Sequence, residues 1–383
     1  MKKILMIGPV PPPYTGQSVS FQKLKASFCE QSTDPIRVYH VNTAPKGNEH
    51  VTGLVSASRI LETFNLVVRV VMILLMNNIN SMYLTKGSTK FGFLRDLMIL
   101  LCRQIFSRKT RFVVHLKGGN YDTFYYSCGM LLKVLVRFFL RKSSTIVVLG
   151  NSLVKMYDFM PSLSSKIMVV ENALTFDCDY VSSGLEKNSV VQILFLSNLI
   201  YSKGCYHLLD AVKILLDRGV ANFRLTYAGQ FMGSPDDPPD FDIKENSQSF
   251  TESIAGENLK DYVTYVGVVS GDFKKNLLLN SKVFVLPTRY HVEGQPVSII
   301  EAMAYGCAIV TTKYRSIPDI TVENENALYV EYGSPESIAD SLETFLKNSD
   351  LLEQYSKASR KIYETRFKWE IHLEKMKKAI FGF

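Results

Sequence analysis

KVFVLPTRYHVEGQPVSIIEAMAYGCAIVTT, residues 282–312, reads as strand, loop, helix and strand in turn. KVFVLPT (282–288) is a short apolar run rich in branched residues, as in a strand buried on both faces. Pro296 suits the first turn of a helix and Gly306 its C-terminal cap, so VSIIEAMAYG is helical before CAIVTT (307–312) starts the next strand. A strand–helix–strand unit of this kind belongs to a parallel sheet with helices on its faces. Glu293 then stands in the loop at the carboxyl end of the strand, and Glu301 one turn inside the helix. Capping would account for Glu301 near a helix start. It leaves Glu293 and the glycine–proline turn unexplained.

The same pattern extends in both directions. Strand candidates in the first half are KILMIG (3–8), RVYHV (37–41), SMYLTK (81–86), RFVVHL (111–116), TIVVLG (145–150) and KIMVVE (166–171). In the second half VQILFLS (191–197), FRLTYAG (223–229), VTYVGVV (263–269) and ALYVE (327–331) join 282–288 and 307–312. The polar stretch DCDYVSSGLEKNSV (177–190) lacks periodicity and separates the two series as a linker. The expectation is an α/β chain of two Rossmann-like parallel-sheet domains, 1–176 and 191–365, facing across a cleft. A C-terminal helix over 366–383 carries Trp369, Leu373, Met376 and Ile380 at helical spacing. That stripe packs either on its own domain or back on the first.

Length and composition agree with this division. A chain of 383 residues exceeds one ordinary core, and 46% hydrophobic with 21% charged residues fits a globular protein. Residues 1–176 hold 22 Lys+Arg against 8 Asp+Glu, a net +14, whereas 177–383 hold 22 against 28, a net −6. The basic half calls for an anionic partner: nucleic acid, an anionic membrane or a phosphorylated substrate. No basic–aromatic platform or recognition helix supports nucleic acid. The six cysteines (29, 102, 128, 178, 205, 307) form no close pair and no metal-ligand spacing, which points to free thiols in a reducing compartment. MKKILMIGPVPPP is broken by Gly8 and Pro9 and reads as a first strand rather than a signal peptide. LVVRVVMILLM (66–76) is too short to span a bilayer and contains Arg69.

In open parallel sheets ligands bind beyond the carboxyl ends of the strands. After the first strand, GPVPPPYTGQSVSFQKL (8–24) is a proline-stiffened loop in which Gly16 permits close backbone approach. Gln17 and Ser18 then open a helix whose free N–H groups form an anion site, although a rigid turn alone also explains the stretch. After the first strand of the second half, Lys203 and Gly204 precede an amphipathic helix, placing an ammonium and amides where a phosphate could sit. A solvated loop lysine is the plainer reading. In the opening stretch the amides of Gly294, Gln295, Val297 and Ser298 are available to an anion. A carboxylate repels phosphate, so the partners of Glu301 are hydroxyls, and its two oxygens match a vicinal diol such as a ribose.

EGQPVSIIEAMAYG with its two glutamates, SKG (202–204), the glycine loop at 8–18, VVENAL (169–174) and GDFKKNLLLNSKVFVLPT (271–288) occur in one order along nearly the whole chain. Together they resemble the retaining, nucleotide-sugar-dependent glycosyltransferases of the GT-B fold, the fourth family in the usual numbering. The resemblance implies that the second domain binds a nucleotide diphosphate sugar, with a UDP-sugar the first choice. Glu301 would hold the ribose. The amides after Glu293, with Pro296 setting the helix start, would hold the diphosphate or sugar. Glu293 would lie near the transferred sugar, and Lys203 would neutralise the departing β-phosphate. No metal and no other cofactor is then needed.

Two departures from that family stand out. Its usual arginine five residues before the lysine is Asn198 here, with Arg289 as a candidate substitute. In VVHLKGGN (113–120) the histidine that often precedes the glycine is Lys117, with His115 two residues earlier on the same strand face. Either could touch donor or acceptor, and a buried core histidine is the alternative for His115. DCD (177–179) resembles the Asp-x-Asp metal motif of the other glycosyltransferase fold but falls in the linker.

The expected function is sugar transfer to a glycan acceptor, lipid-linked or soluble, with a lipid-linked diphosphate saccharide of bacterial surface polysaccharide synthesis the first choice. The alternatives are a nucleotide-sugar epimerase of the same fold and an inactive nucleotide-sugar-binding or scaffold protein. Lys133, Arg137 and Arg141 recur every fourth residue in MLLKVLVRFFLRKSS (130–144), which reads either as a buried helix with a wet edge or as a helix on an anionic bilayer. The expected location is the cytoplasm, peripheral on the inner face of the membrane.

Overall fold

The structure, a computed structural model, describes residues 1–13, 15–30, 35–44, 57–176, 178, 190–256 and 258–382. The chain divides into two compact units, Met1–Thr175 with Trp369–Phe383, and Phe176–Lys368.

The first unit runs β1 (Lys2–Gly8), α1 (Gly16–Cys29), β2 (Ile36–Asn42), α2 (Ala57–Met76), β3 (Ser81–Lys86), α3 (Lys90–Phe106) and β4 (Arg111–Leu116). It continues through α4 (Tyr121–Tyr126), α5 (Met130–Lys142), β5 (Thr145–Val148) and β6 (Ile167–Val169). The sheet order is β2-β1-β3-β4-β5-β6 and every pairing is parallel. Alternate residues of these strands feed two separate cores. Leu5, Ile7, Leu84 and Val114 pack with α2, α3 and α5, whereas Ile4, Met6, Tyr83 and Val113 pack with α1 on the opposite face.

The second unit runs β7 (Val191–Leu196), α6 (Cys205–Asp217), β8 (Phe223–Ala228), α7 (Ile243–Ala255), β9 (Val263–Tyr265), α8 (Gly271–Asn280) and β10 (Val283–Leu286). Then follow α9 (Val297–Ala304), β11 (Ala308–Thr311), α10 (Ile317–Ile320), β12 (Ala327–Tyr329), α11 (Pro335–Lys347) and α12 (Ser349–Arg366). The order β12-β11-β10-β7-β8-β9, again all parallel, is the doubly wound arrangement with a reversal between β7 and β10. In the first sheet the reversal lies between β1 and β3. The loops after these four strands are therefore where each unit has room for a ligand.

All twelve expected strands are present. The largest difference is at 263–269, where β9 stops at Tyr265 because Gly267 turns into the left-handed region at φ +71°. The expected C-terminal helix over 366–383 is α13 (Trp369–Phe381), and α12 ends separately at Arg366. Met376, Ala379 and Ile380 of α13 lie in the core that β1 and α1 share, and the indole of Trp369 donates to Ser27 Oγ at 2.9 Å. Of the linker 177–190, all but Cys178 and Val190 lies outside the described residues, as do both aspartates of DCD. All six cysteines are free thiols. Among the described residues no helix is long and apolar enough to cross a membrane.

Candidate active site

At the reversal of the second sheet the two loops are laced together. The loop after β7 turns through a single 3₁₀ turn, Tyr201–Lys203, into Gly204 at φ +79°. A Cβ at that glycine would lie 2.5 Å from the Pro287 carbonyl, so only glycine lets the two loops come this close. The Arg289 amide donates to the Ser202 carbonyl at 2.7 Å. Thr312 Oγ1 and Ser316 Oγ from beyond β11 donate to the carbonyls of Thr288 and Gly294. The loop carrying Glu293 is thus held on both sides.

This lacing brings Lys203 to Glu293. The ammonium donates to Ser197 Oγ at 3.0 Å, lies 5.1 Å from the centre of the Tyr290 ring, and stands 3.4 Å from Glu293 Oε2. That last distance lacks hydrogen-bond geometry, and Glu293 Oε2 is buried without a hydrogen-bond partner. The pair is a long ion pair with an unused acceptor between its members. A buried acceptor left open costs free energy, and a ligand hydroxyl or water placed there recovers it.

Pro296 caps α9, and Gly306 at φ +68° follows its C-terminal end. Glu301, in the middle of this helix, is buried and paired to Lys274 of α8, with Oε1 accepting from Nζ at 2.6 Å. Burial pushes its carboxyl up, and the ammonium beside it pulls the other way. Glu301 was expected to meet a ribose alone, and it comes instead with a resident counter-ion. Lys274 was missed because it sits 27 residues away in GDFKKNLLLNS, where no local spacing links it to Glu301.

Other expected site residues lie outside these two pairs. The guanidinium of Arg289 is exposed and lies over the Tyr332 ring at 6.0 Å, making no ion pair among the described residues. Asn198 is exposed at the end of β7. In the first unit Gly16 begins α1, but the Ser18 amide expected to be free donates to Thr15 Oγ1 at 3.1 Å in a capping box. Gln295 is buried, and Val297 and Ser298 form the first turn of α9 behind Gly294.

His115 and Lys117 converge with groups from the chain's end. His115 is fully buried in β4, its Nδ1 2.8 Å from Tyr83 Oη. Burial raises the Tyr83 phenol, and the imidazole tautomer sets which of the two donates; the other ring nitrogen of His115 is Nε2. That Nε2 has no partner among the described residues, so His115 is not a satisfied core histidine. β4 ends at Leu116, one residue before Lys117, so the two do not share a strand face as expected. Lys117 donates to Asn172 Oδ1 at 3.0 Å, and burial holds its ammonium down to about 7. His372 of α13 meets the Glu171 carbonyl at 2.6 Å and is held down to about 3 by burial, with Lys117 adding to the shift. Nearby Lys86, the last residue of β3, is buried over the Tyr121 ring at 2.9 Å and also lowered by burial.

Sequence and structure comparisons relate the chain to known proteins. Residues 182–362, a little under half of the chain, match the family model "Glycosyl transferases group 1". The 2-deoxystreptamine N-acetyl-D-glucosaminyltransferase of Niallia circulans is 24% identical over 236 residues, 60% of this chain and 57% of that protein. The putative colanic acid biosynthesis glycosyltransferase WcaL of Escherichia coli is 25% identical over 186 residues, 47% of this chain and 42% of WcaL. The chain thus spans about half the length of the curated relatives it matches. Anabaena HepE, solved in complex with UDP, superposes with a TM-score of 0.69 at 15% identity over 99% of both chains. The fold, two parallel six-stranded α/β sheets, is that of the GT-B glycosyltransferases, and residues 182–362 resemble group 1 glycosyl transferases in sequence.

Proposed function

We propose that this chain transfers a sugar from a nucleotide diphosphate sugar, a UDP-sugar in the first instance, to a hydroxyl of a glycan acceptor, with retention of configuration and without a metal. The observation that carries the reading is the long Lys203–Glu293 pair at the reversal of the second sheet. Its two charges are suited to opposite ends of one bond. As the anomeric carbon–phosphate oxygen bond breaks, negative charge grows on the phosphate, where the Lys203 ammonium can take it. Positive charge grows on the anomeric carbon, where the Glu293 carboxylate can. A donor aimed at developing charge is worth about 3 kcal/mol. Lys274–Glu301 would open to admit the ribose hydroxyls, and Gly294 to Ser298 would line the diphosphate. The UDP seen in HepE and the polysaccharide role named for WcaL support the donor and acceptor classes.

For the acceptor we take a lipid-linked diphosphate saccharide at an anionic membrane face, on the net +14 of residues 1–176. Incubation with a panel of nucleotide sugars, in the presence of a chelator, tests the chemistry. Sugar transfer or slow donor hydrolysis with the anomeric configuration kept is expected. Inverted product, dependence on added metal, or epimerised donor would overturn the corresponding part.

A further inference from the structure

Helix α2 is apolar on two faces. Leu66, Val70 and Leu74 enter the core of the first unit. On its outer side Phe64, Val68, Met72 and Leu75 are 38 to 64% exposed and recur at helical spacing. A helix apolar all round is ordinarily buried on all sides, and this one has no cover on its outer face among the described residues. The neighbouring helix repeats the pattern: α3 buries Phe93, Leu97 and Leu100 and exposes Met98, Leu101 and Ile105. α3 packs between α2 and α5, so the two strips adjoin, and Met130 and Leu131 at the start of α5 are exposed as well. Single exposed apolar side chains need no explanation, but adjoining strips along two helices mark an interaction surface.

Charge identifies what the surface meets. α2 and α3 carry five Lys+Arg and two Asp+Glu, of which Arg95 and Asp96 are paired with each other, in a half of the chain whose net charge is +14. Arg69 is exposed on α2 and lines, with Glu62 and the Asp96-paired Arg95, a groove of about 200 Å³ at the end of β2. A soluble protein partner does not require this excess of one sign. An anionic bilayer does, because apolar side chains enter the acyl boundary while long basic side chains reach phosphates around them. Helix α5, the basic helix singled out in the sequence, is less available. Arg137 donates to Tyr125 Oη at 2.8 Å, and Lys133 lies 5.7 Å from the same ring.

We propose that the outer face of α2 and α3 is the surface on which this protein docks to an anionic lipid bilayer, with the exposed Arg69 guanidinium meeting a lipid phosphate. The inference rests on the membrane-linked acceptor of the proposed function and names the surface that reaches it.

Vesicle flotation tests it on the full chain. Wild-type protein is expected to float with vesicles containing phosphatidylglycerol and not with phosphatidylcholine alone. Phe64→Glu/Met72→Glu/Met98→Glu/Ile105→Glu is expected to lower the bound fraction about tenfold or more, since each change removes an apolar anchor and adds a repelled charge. Arg69→Glu alone should weaken binding several-fold. Arg141→Glu/Lys142→Glu on α5 should have the smaller effect. The milder Phe64→Ser/Met98→Ser pair, with UDP binding and thermal unfolding followed in parallel, guards against a fold lost to the four-fold change. The proposal is overturned if the folded α2–α3 variants float like wild type while wild type binds, a result that leaves the membrane acceptor intact. It is also overturned, together with that acceptor, if wild type floats with no vesicle. A concentration-dependent dimer dissolved by the same substitutions would assign the face to a second copy of the chain instead.

Discussion

The two units treat buried charge in opposite ways. In the second unit each acid has a base beside it: Glu293 with Lys203, Glu301 with Lys274. In the first unit the titratable groups His115, Lys117, Lys86 and His372 are gathered with little opposing charge, and burial lowers every one of them toward its neutral form. Paired charges are kept ionised and can be traded for those of a ligand. Unpaired ones survive burial only by losing charge. On the proposed function, the first arrangement suits an ionic ligand and the second the hydroxyls of a sugar.

The sharpest way to break this comparison is at the long pair. Glu293→Ala and Lys203→Ala should each lower kcat about 100- to 1,000-fold while UDP binding, read by calorimetry, survives in Glu293→Ala. An unchanged kcat would remove the pair from the chemistry. Next comes Lys274→Met, which strands Glu301 in the interior. It should weaken UDP binding about tenfold or more and destabilise the second unit by about 1–3 kcal/mol at neutral pH. The stranded carboxyl is raised further, so it binds protons more readily folded than unfolded. The deficit therefore shrinks as pH falls and grows as pH rises, which urea midpoints at several pH values can follow.

Gly204→Ala forces a side chain into a left-handed turn and against the Pro287 carbonyl. It should cost about 1–3 kcal/mol and separate the two loops, raising KM for the donor with unfolding temperature as the second readout.

For the first unit, Lys117 titrates at about 7 folded and at 10.5 by its ordinary value. Between these values the unfolded chain binds more protons, so stability climbs as pH rises from 7 toward 10, and the burial penalty is fully present below 7. Lys117→Met should flatten that climb. Trp369, the sole tryptophan and a residue of the first unit, reports the transition by fluorescence. The smallest effect is expected of Asn198→Arg, which supplies the cation that the family resemblance implies at this position and should tighten UDP binding a few-fold at low salt.

The fold was legible because parallel strands buried on both faces are unbroken apolar runs, and twelve of them stand out between helical patterns. The loop positions of Lys203 and Glu293 followed from the rule that ligands collect beyond strand ends. What was hidden needed pairing across the fold. Nothing local ties Lys274 to Glu301, Tyr83 to His115, or His372 to Glu171. The outer face of α2 was hidden for a different reason: an apolar helix reads the same whether one side or all sides are covered, and LVVRVVMILLM drew notice only as too short to span. Arg289 was chosen for its nearness in sequence to Glu293, and its side chain went to Tyr332.

Because α13 belongs to the first unit, the chain enters that unit, leaves it for Phe176–Lys368, and returns. Synthesis proceeds from the N-terminus, so the second unit is whole while the first still lacks one wall of the core shared by β1 and α1. Ile4, Met6 and Phe28 wait covered on one side only until Met376 and Ile380 have left the ribosome. For this protein the order of completion reverses the order of the sequence, and the unit that begins first finishes last.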